Sequence, residues 1–269
     1  MKDSDKVFAG SIPAIYDRLM VPMLFEPYAI DMARRAAAVS PSRLLETAAG
    51  TGIVTQQLAR SVPQDVQITA TDLNPAMIAI ASARVTAPNV TWQPCDATQL
   101  PFADHAFDAV VCQFGAMFFP DKRVAYQEAR RVLRPGGTFL FSVWDSLAEN
   151  QLTEVVAQTV AAAFPDNPPG FFARIPHGYF DSDAIRASLQ AAGFGGIDIE
   201  TVQMRSRARS ALDAATGLCQ GSPLRNEIEQ RDASKLTAVT EAAARAIAAR
   251  FGTAAIDVPM QALVMSARA

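Results

Sequence analysis

From about residue 40 the chain alternates short β-type runs with stretches of helical periodicity, and this rhythm constrains the fold more than any other feature. Strands separated by helices build a mostly parallel sheet with helices over both faces. Arg43-Leu44-Leu45-Glu46 reads as a first buried strand, and Ile53 to Val62 as a helix with Val54, Leu58 and Val62 spaced by four. Val66 to Thr71 is a second strand. Asn74 is placed to cap the next helix, with Pro75 at its tolerated first position. Val90 to Gln93 and Phe107 to Cys112 supply the third and fourth strands, and Asp121 to Leu133 a helix. Pro135-Gly136-Gly137 is expected to turn the chain into a fifth strand, Thr138 to Trp144.

After Trp144 the rhythm changes. Residues 146–164 read as an Ala/Val-rich helix broken by Pro165 to Gly170, and an aromatic segment, Phe171 to Phe180, follows. Asp181-Ser182-Asp183 starts another helix, which Gly193 can end in a left-handed conformation. Ile197 to Met204 alternates as a strand. Ser210 to Phe251 is mostly helical with a break at Gly221-Ser222-Pro223, and Met260 to Met265 is a last strand. The expectation is one α/β domain with a seven-stranded sheet. Its core would be residues 40–145, 195–205 and 258–269, under N-terminal and inserted helical caps at 1–39, 146–194 and 206–252.

With 50% hydrophobic and 19% charged residues, such a chain can bury a core without staples. The net charge of −3 and the absence of a long Lys/Arg cluster argue against a nucleic-acid partner. Three widely separated cysteines, Cys95, Cys112 and Cys219, fit a reducing compartment better than a disulfide framework or a zinc site. The first six residues carry acids and lead into no apolar stretch of signal-peptide length. No run approaches the roughly 18 apolar residues of a membrane span. A cytoplasmic protein without stable membrane insertion is expected.

The chemistry concentrates in Leu44-Leu45-Glu46-Thr47-Ala48-Ala49-Gly50-Thr51-Gly52, where a strand ends, small residues turn the chain and a helix begins. Such a turn aims backbone N–H groups and the positive helix end at a ligand, and Gly50 and Gly52 allow close approach. Asp72 follows the second strand 20 residues after Gly52. At that spacing an acid reaches ribose hydroxyls in nucleoside-binding sheets, and we weigh this above a mere helix-capping Asp.

These residues open an ordered set. Thr71-Asp72-Leu73-Asn74-Pro75-Ala76-Met77 comes next, then Cys95-Asp96-Ala97 with Leu100-Pro101-Phe102-Ala103-Asp104 and Phe107-Asp108, then Arg131-Val132-Leu133-Arg134-Pro135-Gly136-Gly137. The set, spanning about residues 43–145, resembles the Rossmann-like class I S-adenosylmethionine-dependent methyltransferases. It resembles especially the ubiquinone/menaquinone-biosynthesis (methyltransferase type 11) branch. The resemblance implies S-adenosyl-L-methionine as cofactor, with S-adenosyl-L-homocysteine as product. It implies that Asp72 binds the ribose, that Leu73 or Met77 packs on the adenine, and that Asp96 and the Ala97 N–H contact the adenine edge. Glu46 would face the methionine ammonium, and Gln113 and Phe114 would border the transferable methyl. Many members carry glycine where this chain has Ala48, a substitution tolerable only if Ala48 keeps φ below zero. For Asp108 and Pro135-Gly136-Gly137 strand entry and turn chemistry suffice.

An NAD-dependent dehydrogenase shares the nucleoside logic, but its fingerprint wants Gly or Ala where this chain has Thr55. A protein that binds the cofactor without transferring methyl is the other alternative. A small apolar or aromatic methyl acceptor is expected over the carboxyl ends of the strands, where open sheets bind ligands. Candidate walls are Tyr16, Phe25, Tyr28, Met117 and Phe118, with Trp144, Phe171, Phe172 and Tyr179 beyond them; at least roughly half of these are expected to be ordinary core. Of the two histidines, His105 reads as a surface residue, whereas His177 could take a proton from an acceptor hydroxyl, although a structural role is favoured. No His/Cys/acid cluster has metal-ligand spacing, so metal-independent chemistry is expected. Arg225 is read as an exposed helix residue, and the stripe Val239, Ala243, Ile247 and Phe251 as a helix face packed on the sheet.

Overall fold

The computed structural model describes Asp5 and residues 9–269. In chain order, α1 (Ile12–Ile15) leads into a π-helical stretch (Tyr16–Phe25) and α2 (Glu26–Ala38). Then come β1 (Arg43–Glu46), α3 (Ile53–Ser61), β2 (Gln67–Asp72), α4 (Pro75–Arg84), β3 (Val90–Pro94), β4 (Phe107–Gln113), α5 (Lys122–Val132) and β5 (Leu133–Trp144). The rest is α6 (Gln151–Ala162), α7 (Phe171–Arg174), α8 (Ser182–Ala191), β6 (Gly195–Ala208), α9 (Ala211–Gln220), α10 (Leu224–Asp232), α11 (Leu236–Phe251) and β7 (Ile256–Arg268).

The seven strands form one sheet in the order β3-β2-β1-β4-β5-β7-β6, as the α/β reading expects. β3, β2, β1, β4 and β5 run parallel, and β7 pairs antiparallel to β5. The central β4 and the Thr138–Trp144 part of β5 are nearly continuously buried, whereas the edge strand β3 has no fully buried residue, which is why the strands' apolar residues concentrate at 109–112 and 139–144. Caps punctuate the helices: Asn74 accepts from the Ala76 N–H, Asp121 from Val124, Asp181 from Asp183 and Ala184, and Ser210 from Asp213. Gly193, at φ +91°, ends α8 as expected.

One turn was misplaced. Pro135-Gly136-Gly137 lies inside β5, whose extended backbone already begins at Leu133. Gly136 at φ +77° absorbs an irregularity there, and the β4–β5 register shifts between Phe107 and Ala109. Asp108 secures this end of the sheet, accepting from the Ser42 and Arg43 N–H groups and pairing with Arg134 at 2.8 Å.

The backbone groups into two compact units. One comprises Tyr28–Trp144, Tyr179–Val202 and Ala262–Ala269 and carries most of the sheet. The other comprises the described part of Met1–Pro27, with Asp145–Gly178 and Gln203–Gln261. In the second unit the π-helical stretch winds past Pro22, whose missing N–H would break an α-helical ladder. Gly217 of α9 packs against Leu19, Met20 and Met23 of that stretch. The α11 stripe packs on α9 and α6 rather than on the sheet: Val239, Ala243 and Ile247 are buried, while Phe251 is only half-buried. Arg174 bridges the buried Asp5 and Glu227 at 2.5 and 2.8 Å. Arg225 is held by Glu229 and the Ser11 hydroxyl rather than standing free in solvent. Among the described residues no helix is long and apolar enough to cross a membrane.

Candidate active site

The strand order reverses between β1 and β4, and the crevice beyond the carboxyl ends of two such strands is where open α/β sheets bind ligands. β1 ends there at Glu46 and β4 at Gln113, with Glu46 in register with Val111. Glu46 is 1% exposed, and its carboxylate accepts a 2.6 Å hydrogen bond from the Thr55 hydroxyl in the first turn of α3. The Thr71 hydroxyl of β2 donates to the Glu46 carbonyl at 2.9 Å. Burial, reinforced by the nearby charge of Asp72 and opposed by Thr55, pushes the Glu46 carboxyl up to about 8.

Asp72 is gripped from two sides. Gly50 N–H donates to one oxygen and Asn74 N–H to the other, each at 2.8 Å. Desolvation raises its pKa, and these two backbone donors oppose the rise.

The loop differs from expectation in three ways. Four of its amides are already engaged: Thr47 with the Val111 carbonyl, Ala49 with Thr71, Gly50 with Asp72 and Gly52 with Ala49. These four N–H groups are therefore bound within the protein and do not point freely at a ligand. Gly52, at φ +82°, makes room for the protein rather than for a ligand: a Cβ there would lie 2.9 Å from the Ala81 Cβ and 3.1 Å from the Trp92 ring. Ala48 has φ +54°, not the negative value its methyl was expected to require. An L-residue held there costs on the order of 1 kcal/mol. Its Cβ faces Gly115, where an added Cβ would come within 2.4 Å of it.

On the adenine side the residues separate. Leu73 is 55% exposed beside Asp72, whereas Met77 is buried in α4. Asp96 is exposed and spends one oxygen on the Thr98 N–H and hydroxyl, the geometry of a turn, with Ala97 in that turn. The Leu100–Asp104 run is latched by the first residue of the Arg131–Gly137 motif, a contact that its sequence position does not reveal. Arg131 of α5 donates to the Leu100 and Phe102 carbonyls and pairs with Asp104 and Glu128. Glu128 in turn accepts from Leu100 N–H. His105 is similarly committed, its ring Nδ1 lying 2.9 Å from the Leu133 carbonyl.

Beyond Gln113 the chain turns through Phe114, another non-glycine residue at positive φ, +53°. Its ring stacks on Trp144 of β5, with centroids 3.9 Å apart and planes 5° from parallel. Tyr28 of α2 meets both rings edge-on at 5.3 and 5.4 Å and donates its hydroxyl hydrogen to the Val202 carbonyl. Met117 offers its sulfur to the Trp144 N–H, and Phe118 follows it half-buried. Tyr179 sits elsewhere in this unit, within hydrogen-bond distance of the Tyr126 hydroxyl and under the Lys122 ammonium.

The remaining expected wall residues belong to the second unit. There Tyr16 contacts Phe25, and Phe171 contacts Phe172. His177 is also there, buried, with Nδ1–H donating to the Asp145 carbonyl at 2.7 Å. Desolvation drives its pKa down to about 4, so at neutral pH the imidazole is uncharged and a weak base. Among the described residues no group of three or more His, Cys, Asp or Glu side chains is placed to hold a metal ion.

Sheet order, switch point and acid-flanked loop define a Rossmann-like α/β methyltransferase fold. Residues 45–141 match the family described as a methyltransferase domain. The demethylmenaquinone methyltransferase of Mycolicibacterium vanbaalenii is 32% identical over 174 residues, 61% of this chain and 73% of that protein. The ubiquinone/menaquinone biosynthesis C-methyltransferase UbiE of Cellvibrio japonicus is 36% identical over 102 residues, 36% of this chain and 41% of its own length. The chain thus spans about two fifths of the length of that relative. The crystal structure of the [4+2]-cyclase SpnF superposes with a TM-score of 0.58 at 22% identity, over 90% of this chain and 80% of that one, a likeness of fold alone. The chain belongs to the class I S-adenosylmethionine-dependent methyltransferase family, on the side of the ubiquinone/menaquinone-biosynthesis enzymes.

Proposed function

We infer that the chain is a cytoplasmic enzyme transferring a methyl group from S-adenosylmethionine to a small apolar or aromatic acceptor, by direct displacement without a metal. The observation that carries this reading is the pair of desolvated carboxylates, Glu46 and Asp72, at the switch point of the sheet. Two carboxyl groups with raised pKa values on either side of a small-residue loop suit a ligand that brings both a cation and a cis-diol. The Thr51 hydroxyl fits the same ligand class: it is buried within that loop and has no hydrogen-bond partner among the described residues.

Asp72 would hold the ribose and Glu46 the ammonium. Leu73, exposed beside Asp72, or the buried Met77 would pack on the adenine, and the second carboxylate oxygen of Asp96 and the Ala97 N–H would meet the ring edge. Gln113 and Phe114 would border the sulfur. The bound sulfonium supplies a methyl group already activated for transfer, so the chain's task is alignment and exclusion of water. The acceptor would lie over the ends of β4 and β5, where Tyr28, Phe114, Met117 and Trp144 are packed together as a buried apolar floor. With its low pKa, His177 is a poor general base, and a hydroxyl acceptor would lose its proton to water.

The test combines thermal shift with turnover. S-adenosylhomocysteine should stabilise the protein and NAD should not; stabilisation by NAD alone would overturn the reading. Labelled S-adenosylmethionine with a panel of phenols, quinols and aromatic amines should yield S-adenosylhomocysteine, undiminished by a chelator. A second reading is cofactor binding without methyl transfer, because Glu46, Asp72 and the small-residue loop account for binding alone. Binding without turnover across that panel would favour it.

A further inference from the structure

Resting on the proposed cofactor, we propose that Thr55 is a positioning residue for Glu46, holding one carboxylate oxygen so that the other is presented to the ligand's amine. The dehydrogenase fingerprint would place a small residue here for helix–strand packing. This chain instead places a β-branched hydroxyl in the first turn of α3, and the space is filled with a specific hydrogen bond. The Thr55 hydroxyl lies 2.6 Å from Glu46 Oε2, within the range of a strong hydroxyl–carboxylate hydrogen bond. Both side chains are buried, at 0% and 1% exposure. Thr71 fixes the same residue from β2 by donating to its main-chain carbonyl, so backbone and carboxylate are each held by a threonine.

The arrangement has directional consequences. A hydroxyl donating to a carboxylate favours its ionised form, whereas the apolar surroundings disfavour it. The other titratable groups coupled to Glu46 are Asp72, following β2, whose charge also disfavours ionisation, and the thiol of Cys112 on β4. Among these neighbours Thr55 alone favours the anion that an ammonium requires. It touches neither the nucleoside nor the sulfur in this scheme, so its effect should be confined to ligands carrying the amine.

The experiment compares S-adenosylhomocysteine with 5′-methylthioadenosine, which keeps the nucleoside and thioether but lacks the amino acid. Calorimetric affinities are measured for wild type, Thr55→Val and Thr55→Ser from pH 6 to 9. Thr55→Val should weaken S-adenosylhomocysteine about tenfold, the loss expected for one hydrogen bond to a charged group. Its affinity for 5′-methylthioadenosine should stay within about twofold, and Thr55→Ser should restore most of the loss. The pH midpoint of S-adenosylhomocysteine binding should move upward in Thr55→Val. Equal weakening of both ligands, or none, would overturn the proposal. If Thr55→Val does not fold, Thr55→Ala gives the same comparison with the side chain shortened. Failure of wild type to bind either ligand would instead sink the underlying cofactor reading.

Discussion

At the carboxyl ends of β1 and β2 the side chains that matter are carboxyl groups held in desolvated surroundings, whereas at the ends of β4 and β5 they are aromatic and packed on one another. Glu46 and Asp72 are held by hydroxyl and backbone donors and still carry raised pKa values. Tyr28, Phe114 and Trp144 bury their rings in mutual contact. One end is therefore costly to the fold until a complementary ligand arrives, and the other stabilises the fold without one. Substitutions at the two ends should fail differently: ligand affinity should go first at the polar end, stability first at the aromatic end.

The sharpest test is Trp144→Ala. The indole is stacked at 3.9 Å and buried, so its loss should destabilise the protein by about 3–5 kcal/mol in urea titrations. S-adenosylhomocysteine affinity of the folded fraction should change little. A large affinity loss at unchanged stability would erase the distinction between the ends. The converse is Asp72→Asn, which removes the charge but keeps one acceptor for the Gly50 and Asn74 amides. Affinity should fall roughly 10- to 100-fold, with a small change in melting temperature.

The division also explains what could be read in the sequence. Asp72 was legible because a strand, a short loop, a helix and a strand occupy a fixed length, so the acid falls at a set distance from the loop. Asn74 is legible as a cap because a cap and its partner lie within three residues, and the same locality lets Asp121 and Asp181 mark helix starts although the sequence does not single them out as caps. Interactions between distant positions were not. Arg131 stands in a recognisable motif, but its partner, the Phe102 carbonyl 29 residues away, is not marked by anything local. Thr55 is locally legible only as a residue too bulky for the dehydrogenase fingerprint, since its partner Glu46 lies on the preceding strand. The α11 stripe was correctly apolar, but periodicity names a buried face and not its neighbour, here α9 and α6. The left-handed Ala48 and Phe114 ran against residue preference, which commonly happens at functional sites.

A smaller effect tests the polar end through pH. The folded pKa of Glu46, about 8, lies above its ordinary 4.5, so between those values the folded protein binds more protons than the unfolded chain. Stability from this group therefore falls as pH rises through that window, and the penalty is complete above it. Glu46→Gln lacks the penalty. It should melt above wild type at pH 9, by an amount equivalent to at least about 1 kcal/mol, and match wild type near pH 4. It should also bind S-adenosylhomocysteine more weakly at every pH above 8. A variant less stable than wild type at pH 9 would mean that Glu46 is ionised and well solvated in the fold.

The smallest expected effect concerns the contact where the two ends meet. The Ala48 methyl, on the loop after β1, occupies the space beside Gly115, one residue beyond Phe114. Gly115 has an ordinary helical backbone, φ −96°, so it is glycine for lack of room rather than for conformational freedom. Ala48→Gly alone should stabilise the protein by about 0.5–1 kcal/mol, because it relieves a left-handed alanine at the loss of one small contact. Gly115→Ala alone should destabilise it, since its methyl would meet the Ala48 Cβ at 2.4 Å and Cys112 Sγ at 2.8 Å. The double variant removes the first clash and leaves the second, so it should recover part of the loss. The coupling in a double-mutant cycle should be on the order of 1 kcal/mol. Additive effects would mean that the loop and the Phe114 turn relax independently, and that the polar and aromatic ends can each be changed without reference to the other.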